Sequence, residues 1–105
     1  MSYTDLRDFE PETVFHIFGL GGDHRPLSIA IAKSGGGTVG RAYEGLWRAV
    51  VTYNGRELYR GGDLNTPLPH THGEAAAVLA QSLAAQYPDT SLDARLSGFA
   101  DLYLN

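Results

Sequence analysis

Apolar and polar residues alternate on both sides of one turn signal near the middle of the chain. The stretch from Leu46 to Arg60 reads LWRAVVTYNGRELYR, and apolar side chains recur at every second position before the turn. Such a period of two is typical of a β-strand that buries one face. The pair Asn54-Gly55 tolerates the positive φ angles of a type I′ turn, so the pattern predicts a β-hairpin closed at these two residues.

A two-residue turn also predicts which residues of the hairpin face each other. Tyr53 is expected opposite Arg56, and the same register places Val51 opposite Leu58. Since facing residues share one side of a sheet, the predicted core side carries Trp47, Ala49, Val51, Tyr53, Arg56, Leu58 and Arg60. The opposite side is expected to carry Arg48, Val50, Thr52, Glu57 and Tyr59.

Two stretches before the hairpin also have strand patterns. Residues 13–20, TVFHIFGL, are β-branched and aromatic, with apolar side chains on both faces, which is typical of an inner strand or of a face buried in an oligomer. Residues 27–33, LSIAIAK, alternate large apolar side chains with small ones, which indicates a half-buried strand with a smooth second face. Residues 41–46 fit either a helix or a strand, and we favour a strand from Leu46 onward.

Helix signals begin after the hairpin. Thr71 and Glu74 have the spacing of a capping box, alanines follow, and Pro88 disfavours further helix, so residues 71–86 are predicted to form a helix. Residues 90–104 contain the same capping-box spacing at Thr90 and Asp93. Part of this segment also alternates like a strand, but we favour a helix. The chain is therefore predicted to be one α+β domain over residues 1–105, with an antiparallel sheet of about four strands packed against both helices.

The composition agrees with a single globular domain. The chain has 105 residues, 43% of them hydrophobic, and no cysteine, which excludes disulfides and thiolate metal ligands. We recognise neither a secretory leader nor an apolar run of membrane-spanning length, and we expect a soluble cytoplasmic protein that makes no membrane contact.

Charge is unevenly distributed and suggests a binding face. The net charge is −4, yet residues 25–60 carry six arginine or lysine side chains against two glutamates. Arginines can hold phosphate or carboxylate groups, and tyrosines can stack on bases. The candidate binding residues are therefore Arg48, Tyr59, Arg56 and Arg60. The acidic charge of the whole chain disfavours non-specific binding to nucleic acid, although nucleic acid stays an alternative partner.

Other chemical motifs are weaker. His70 and His72 are candidate metal ligands, because imidazole commonly binds zinc, but no third ligand stands at a diagnostic spacing. Residues 35–40, GGGTVG, match the pattern of a phosphate-binding loop, but we favour a connector between strands. No serine lies in a G-x-S-x-G motif. We therefore expect no enzymatic activity and no cofactor.

The segments NGRELYRGGDLNTP and HTHGEAAAVLAQSL, within the run from Trp47 to Leu83, resemble short uncharacterised proteins of high-GC actinobacteria and their phages. The resemblance implies an accessory protein of a phage or mobile element and carries over no catalytic residue.

The apolar side chains expected outside the core favour a function in protein–protein contact. Val14, Phe18 and Leu20 share one predicted strand face, and contiguous exposed apolar surface marks interaction sites. We therefore expect a small non-enzymatic interaction module that forms homo-oligomers or binds another protein. The alternatives are a nucleic-acid-binding module that uses the basic sheet face and a metal-dependent enzyme centred on His70 and His72.

Overall fold

A four-stranded antiparallel sheet and two helices make up the described part of the chain. The computed structural model describes residues 10–33, 46–65 and 71–104. The strands pair in chain order and are followed by the helices: β1 (Thr13–His16), β2 (Leu27–Lys33), β3 (Leu46–Tyr53), β4 (Arg56–Asn65), α1 (His72–Ala84) and α2 (Ser91–Leu104). This confirms the predicted α+β architecture.

The core lies between one face of the sheet and the two helices. Alternate residues of β2 and β3 are almost completely buried and pack against the apolar side chains of α1 and α2. On the other face of β2, Ser28 and Ala30 are half-buried, whereas Ala32 is buried. The predicted alternation of the 27–33 strand is confirmed, and the small-residue face lies on the side away from the helices. We call this side the outer face.

The hairpin forms at the predicted turn, but its register differs from the prediction. Asn54 and Gly55 have φ angles of 51° and 85°, as a type I′ turn requires. Tyr53 lies opposite Arg56 as expected, and Thr52 lies opposite Glu57, but the register shifts between Thr52 and Val51. The predicted pairing of Val51 with Leu58 is wrong, because an extra residue enters β4 as a β-bulge.

The bulge changes which face each later residue of β4 occupies. Tyr59 pairs with Val51, so it lies on the side of the helices and packs against the core. Arg60 pairs with Val50, so it lies on the outer face. The expected sides of Tyr59 and Arg60 are therefore both wrong, since one inserted residue exchanges the two faces of a strand.

Side-chain caps start both helices where the sequence predicts them. The Oγ1 atom of Thr71 accepts a hydrogen bond from the Glu74 N–H at 3.1 Å, and Thr90 does the same for the Asp93 N–H at 3.2 Å. These caps satisfy backbone donors that have no partner inside the helix. Segment 91–104 is a helix and not a strand, which confirms the favoured alternative.

The first strand is an edge strand rather than the predicted inner strand. β1 ends at His16, although the sequence predicts a strand as far as Leu20, and β2 is its neighbour in the sheet. Its inward residue Phe15 packs edge-to-face on Phe99, with ring centroids 5.4 Å apart. Apolar residues on both faces of β1 therefore reflect a core side and an exposed side, and not burial between strands.

Some predicted features lie outside the described residues: the glycine-rich loop at 35–40, residues 41–45 and His70. Within the described residues, no helix is long and apolar enough to cross a membrane.

Candidate interaction surface

A tight turn between β1 and β2 directs an acidic side chain into the protein. Leu20 and Asp23 bridge each other, and the intervening Gly21 and Gly22 have φ angles of 65° and 85°. Glycine adopts such angles without the steric cost that a Cβ atom brings. The turn leaves Asp23 only 5% exposed.

Hydrogen bonds from three parts of the chain converge on the Asp23 carboxylate. Its Oδ1 atom accepts from the Arg25 Nε at 2.8 Å, and the Arg95 guanidinium lies 3.5 Å away. Its Oδ2 atom accepts from the Tyr53 hydroxyl at 2.8 Å and from the Ser91 hydroxyl at 2.6 Å. We call these five residues the Asp23 cluster. It joins the β1–β2 turn to the end of β3 and to the first turn of α2.

The cluster keeps its carboxylate ionised. The hydrogen bond from Arg25, followed by that from Ser91, holds the pKa of Asp23 well below its usual value, although burial acts in the opposite direction. Burial and the bond to Asp23 raise the pKa of Tyr53. A carboxylate with this many donors has little basicity left for proton transfer. The arrangement is that of a structural connection and not of a general base.

Arg95 carries the connection from the cluster to β1. It is 2% exposed, and its Nε donates to the Phe18 carbonyl at 3.1 Å. A terminal nitrogen donates to the Ile17 carbonyl at 2.8 Å. These hydrogen bonds fix the backbone that follows β1, while the Phe18 side chain points outward and is 68% exposed.

Further apolar side chains are exposed on β1, on the segment after it and on α2. Arg95 contacts Ile17 and Phe18, and Tyr103 contacts Phe15 with ring centroids 5.9 Å apart, so α2 runs alongside β1 in the opposite direction. Leu102 is seven residues after Arg95 and shares its helix face. We define the apolar edge as four residues with their exposures: Val14 (43%), Phe18 (68%), Leu20 (44%) and Leu102 (64%).

The predicted basic binding residues do not form one surface. Arg48 and Arg60 belong to the outer face, where Arg60 donates to the Glu57 carboxylate at 2.9 and 3.0 Å. Arg56 is exposed beside the hairpin turn. Tyr59 lies on the helix side, so stacking by this tyrosine next to Arg48 is not available in this fold.

Of the two histidines predicted to bind metal, the described residues include His72. Its Nε2 lies 2.7 Å from the Glu12 Oε1, and its ring packs edge-to-face on Trp47. The hydrogen bond from the Lys33 N–H, followed by the hydrogen bond with His72, lowers the pKa of Glu12. Within the described part of the chain, no three histidine, aspartate or glutamate side chains gather as a metal site would require. His72 therefore connects the start of β1 to α1.

The sequence contains one signal for the Asp23 cluster, which the hydrophobic periodicity alone does not reveal. Arg95 stands on the apolar stripe of α2, between Leu92 and Phe99, both of which are buried. An arginine at a core position needs a buried acidic partner, because an unpaired buried charge is costly.

The chain has no match among protein-family models, curated proteins or solved structures. Its function is therefore inferred from the geometry of its own residues.

Proposed function

We propose that this protein is a non-enzymatic interaction module that associates with a second copy of itself through the apolar edge. The observation that carries the proposal is Phe18, a large apolar side chain that is 68% exposed on a backbone fixed by Arg95. Aromatic side chains at the centre of an interface contribute much of its binding free energy.

The grouping of the exposed side chains supports this function. Single exposed apolar residues are normal on any protein, but a contiguous group of them marks an interaction site. Val14, Phe18 and Leu20 are exposed on β1 and on the segment that follows it, and Leu102 is exposed on α2, the helix that packs against β1. An apolar edge of this kind reduces contact with water when it meets a second apolar surface.

The Asp23 cluster supports the proposal in a second way. A loop that must become ordered on binding loses conformational entropy, and this loss weakens association. The loop after β1 is already held by the bonds from Arg95 to the Ile17 and Phe18 carbonyls. The backbone that carries Phe18 is thus held in place before any partner arrives.

Light scattering coupled to size-exclusion chromatography tests the proposal. We expect the wild-type protein to shift from monomer to dimer mass as its concentration rises. Phe18→Ser and Leu102→Ser should stay monomeric at concentrations where the wild type is a dimer. Leu104→Ser is the matched control, because Leu104 is also exposed on α2 but lies on the opposite side of the helix from Leu102.

A wild-type protein that remains a monomer at every concentration contradicts the proposal. So does a dimer that Phe18→Ser and Leu102→Ser leave intact while Leu104→Ser disrupts it. Circular dichroism checks that the variants keep their helix content, which we expect because all three substitutions are at the surface.

A further inference from the structure

Among the described residues, β1 lies at the edge of the sheet with no strand on its outer side. The Ile17 N–H donates to the Leu27 carbonyl at 2.8 Å, and Phe15 pairs with Ile29. In an antiparallel pair, alternate residues direct both backbone groups toward the partner strand. Val14 and His16 therefore direct their N–H and C=O groups away from β2. An edge of this kind is a template for another strand.

The opposite edge of the sheet is much less suited to pairing. Two register shifts interrupt the pairing of β4 with β3, whereas β1 pairs with β2 without any shift. Bulges twist an edge strand and disrupt the regular spacing of its backbone groups. The ion pair between Glu57 and Arg60 adds charge to the β4 strand. Of the two edges, β1 has the more regular pairing and is the better suited to extend the sheet.

A glycine on α2 leaves open space on the surface of that helix. Gly98 is exposed inside the helix, and a Cβ atom built there would meet nothing within 4 Å. Glycine at such a position costs about 1 kcal/mol relative to alanine, and the monomer gains no contact from it. By helical spacing, Gly98 shares a helix face with Leu102. A second helix could pack closely against it.

The apolar edge is large enough for a dimer interface. Its four side chains leave roughly 400 Å² of apolar surface exposed if each has a full area of about 150–200 Å². A standard interface buries about 800 Å² from each partner, and somewhat more than half of that area is apolar. The exposed apolar surface thus matches what one side of such an interface needs.

We infer that two copies join by antiparallel pairing of β1 with β1, which makes one continuous eight-stranded sheet across a two-fold axis. This inference rests on the proposed self-association. The backbone groups decide the register: Val14 of each copy lies opposite His16 of the other, and the two Phe15 residues face each other on the axis. In this register, four inter-strand hydrogen bonds use every outward-facing group of Val14 and His16.

Single cysteines test this arrangement, because the native chain has none. Residues in a hydrogen-bonded antiparallel pair have Cα atoms about 5.5 Å apart, within the range of a disulfide. We therefore expect an equal mixture of Val14→Cys and His16→Cys to give a linked Val14→Cys/His16→Cys dimer on mild oxidation. Mass spectrometry separates this dimer from the two symmetric ones, which should be minor products.

Val50→Cys is the matched control. Val50 lies on the same face as Val14 but two strands further into the sheet, about 10 Å from β1. It should not form a linked dimer when the copies join edge to edge. Linkage of Val50→Cys at the rate of the mixture would show that the sheets pack face to face and would overturn the inference.

The outcomes separate this inference from the proposed function. A dimer in light scattering without the mixed link overturns the β1 pairing and leaves self-association standing. Dominant symmetric linkage of Val14→Cys or of His16→Cys alone overturns the register. A wild-type protein that is always monomeric overturns the proposed function itself.

Discussion

The Asp23 carboxylate shows how a buried charge can determine the conformation of a surface loop. Burying an ion pair often adds little net stability, because both charges lose their hydration. The value of such a pair lies in its geometry, since each lost hydrogen bond leaves a buried group unsatisfied. Here Arg95 contacts both Asp23 and the carbonyls of Ile17 and Phe18, so the cluster sets the position of Phe18.

The lowered pKa of Asp23 predicts a pH-dependent stability. The folded state favours the ionised carboxylate, so its stabilisation is present above the unfolded value of about 4 and is lost as the pH falls below it. Glu12 and Glu57 also have lowered pKa values and contribute in the same direction. Asp23→Asn should therefore be less stable than the wild type at neutral pH, and the difference should shrink in acid.

Urea unfolding at several pH values measures this difference. Asp101→Asn is the control, because Asp101 is exposed on α2 and should leave the profile close to that of the wild type. A gap between the wild type and Asp23→Asn that is constant from neutral pH to about pH 3 would contradict the assignment.

Replacing the buried arginine should be more damaging than replacing an exposed one. Arg95→Met removes the hydrogen bonds to the Ile17 and Phe18 carbonyls and takes a positive charge away from Asp23. We expect a loss of about 3 kcal/mol in the free energy of unfolding, as for other broken buried pairs. Arg56→Met at the exposed hairpin end should change it by less than about 0.5 kcal/mol. Equal effects of the two substitutions in denaturant unfolding would contradict a central role for Arg95.

Turns and caps were predictable from the sequence at the level of elements. The Asn54-Gly55 turn and the caps at Thr71 and Thr90 depend on residues within three positions of each other, so a short stretch of sequence contains the whole signal. The bulge in β4 was not predictable in this way. Tyr59 and Arg60 exchange faces because of contacts across the sheet, which alternation alone does not encode.

The candidate interaction surface was likewise predictable from the sequence only where its signals are local. A period of two predicted that Val14, Phe18 and Leu20 lie outside the core, and all three side chains are exposed, although β1 ends at His16. The Asp23 cluster joins residues far apart in sequence, with Ser91 68 positions from Asp23. No local pattern predicts that pairing, although an arginine on the apolar stripe of α2 shows that a buried acid is needed.

Replacing each of two glycines by alanine should change the stability of the protein in opposite directions. At Gly19 an added Cβ would lie 2.7 Å from the Asp23 carbonyl oxygen, which is backbone and has little freedom to move. Gly19→Ala should therefore lose about 1–3 kcal/mol of stability, as overpacked sites do. At Gly98 the space is open, and Gly98→Ala should gain up to about 1 kcal/mol of helix stability in the monomer.

Thermal unfolding of both variants, at a concentration where the protein is monomeric, tests this pair. The opposite signs serve as an internal control, because both substitutions add the same methyl group. A stabilised Gly19→Ala would mean that the β1–β2 turn does not pack as described. A destabilised Gly98→Ala would mean that the monomer itself uses the missing side chain, which removes the argument for an approaching helix.

At the scale of the whole molecule, the two sides of the sheet have different environments. The helices cover one side, and the outer face carries half-buried small residues together with Arg48 and Arg60. A nucleic-acid-binding sheet normally presents clustered arginines and aromatic rings on one open face. Here the hairpin bulge moves Tyr59 to the helix side, and Glu57 contacts Arg60. Among the described residues, the outer face thus lacks the combination of groups that the sequence suggested.

The net charge of −4 and this distribution of groups predict weak binding to nucleic acid. Gel shifts with duplex and single-stranded probes at moderate salt should show no retardation by the wild-type protein, because net repulsion opposes contacts to phosphate. If the outer face has affinity for nucleic acid, the probe should be retarded more by Glu57→Gln than by the wild type, because the substitution releases Arg60 from its carboxylate partner.

Strong retardation by the wild-type protein would instead favour the nucleic-acid-binding alternative, provided that Arg48→Ala and Arg60→Ala abolish it and the control Arg56→Ala does not. In that case, dimer formation through β1 would extend the basic outer face across both copies, and binding should then depend on Val14 and His16 as well.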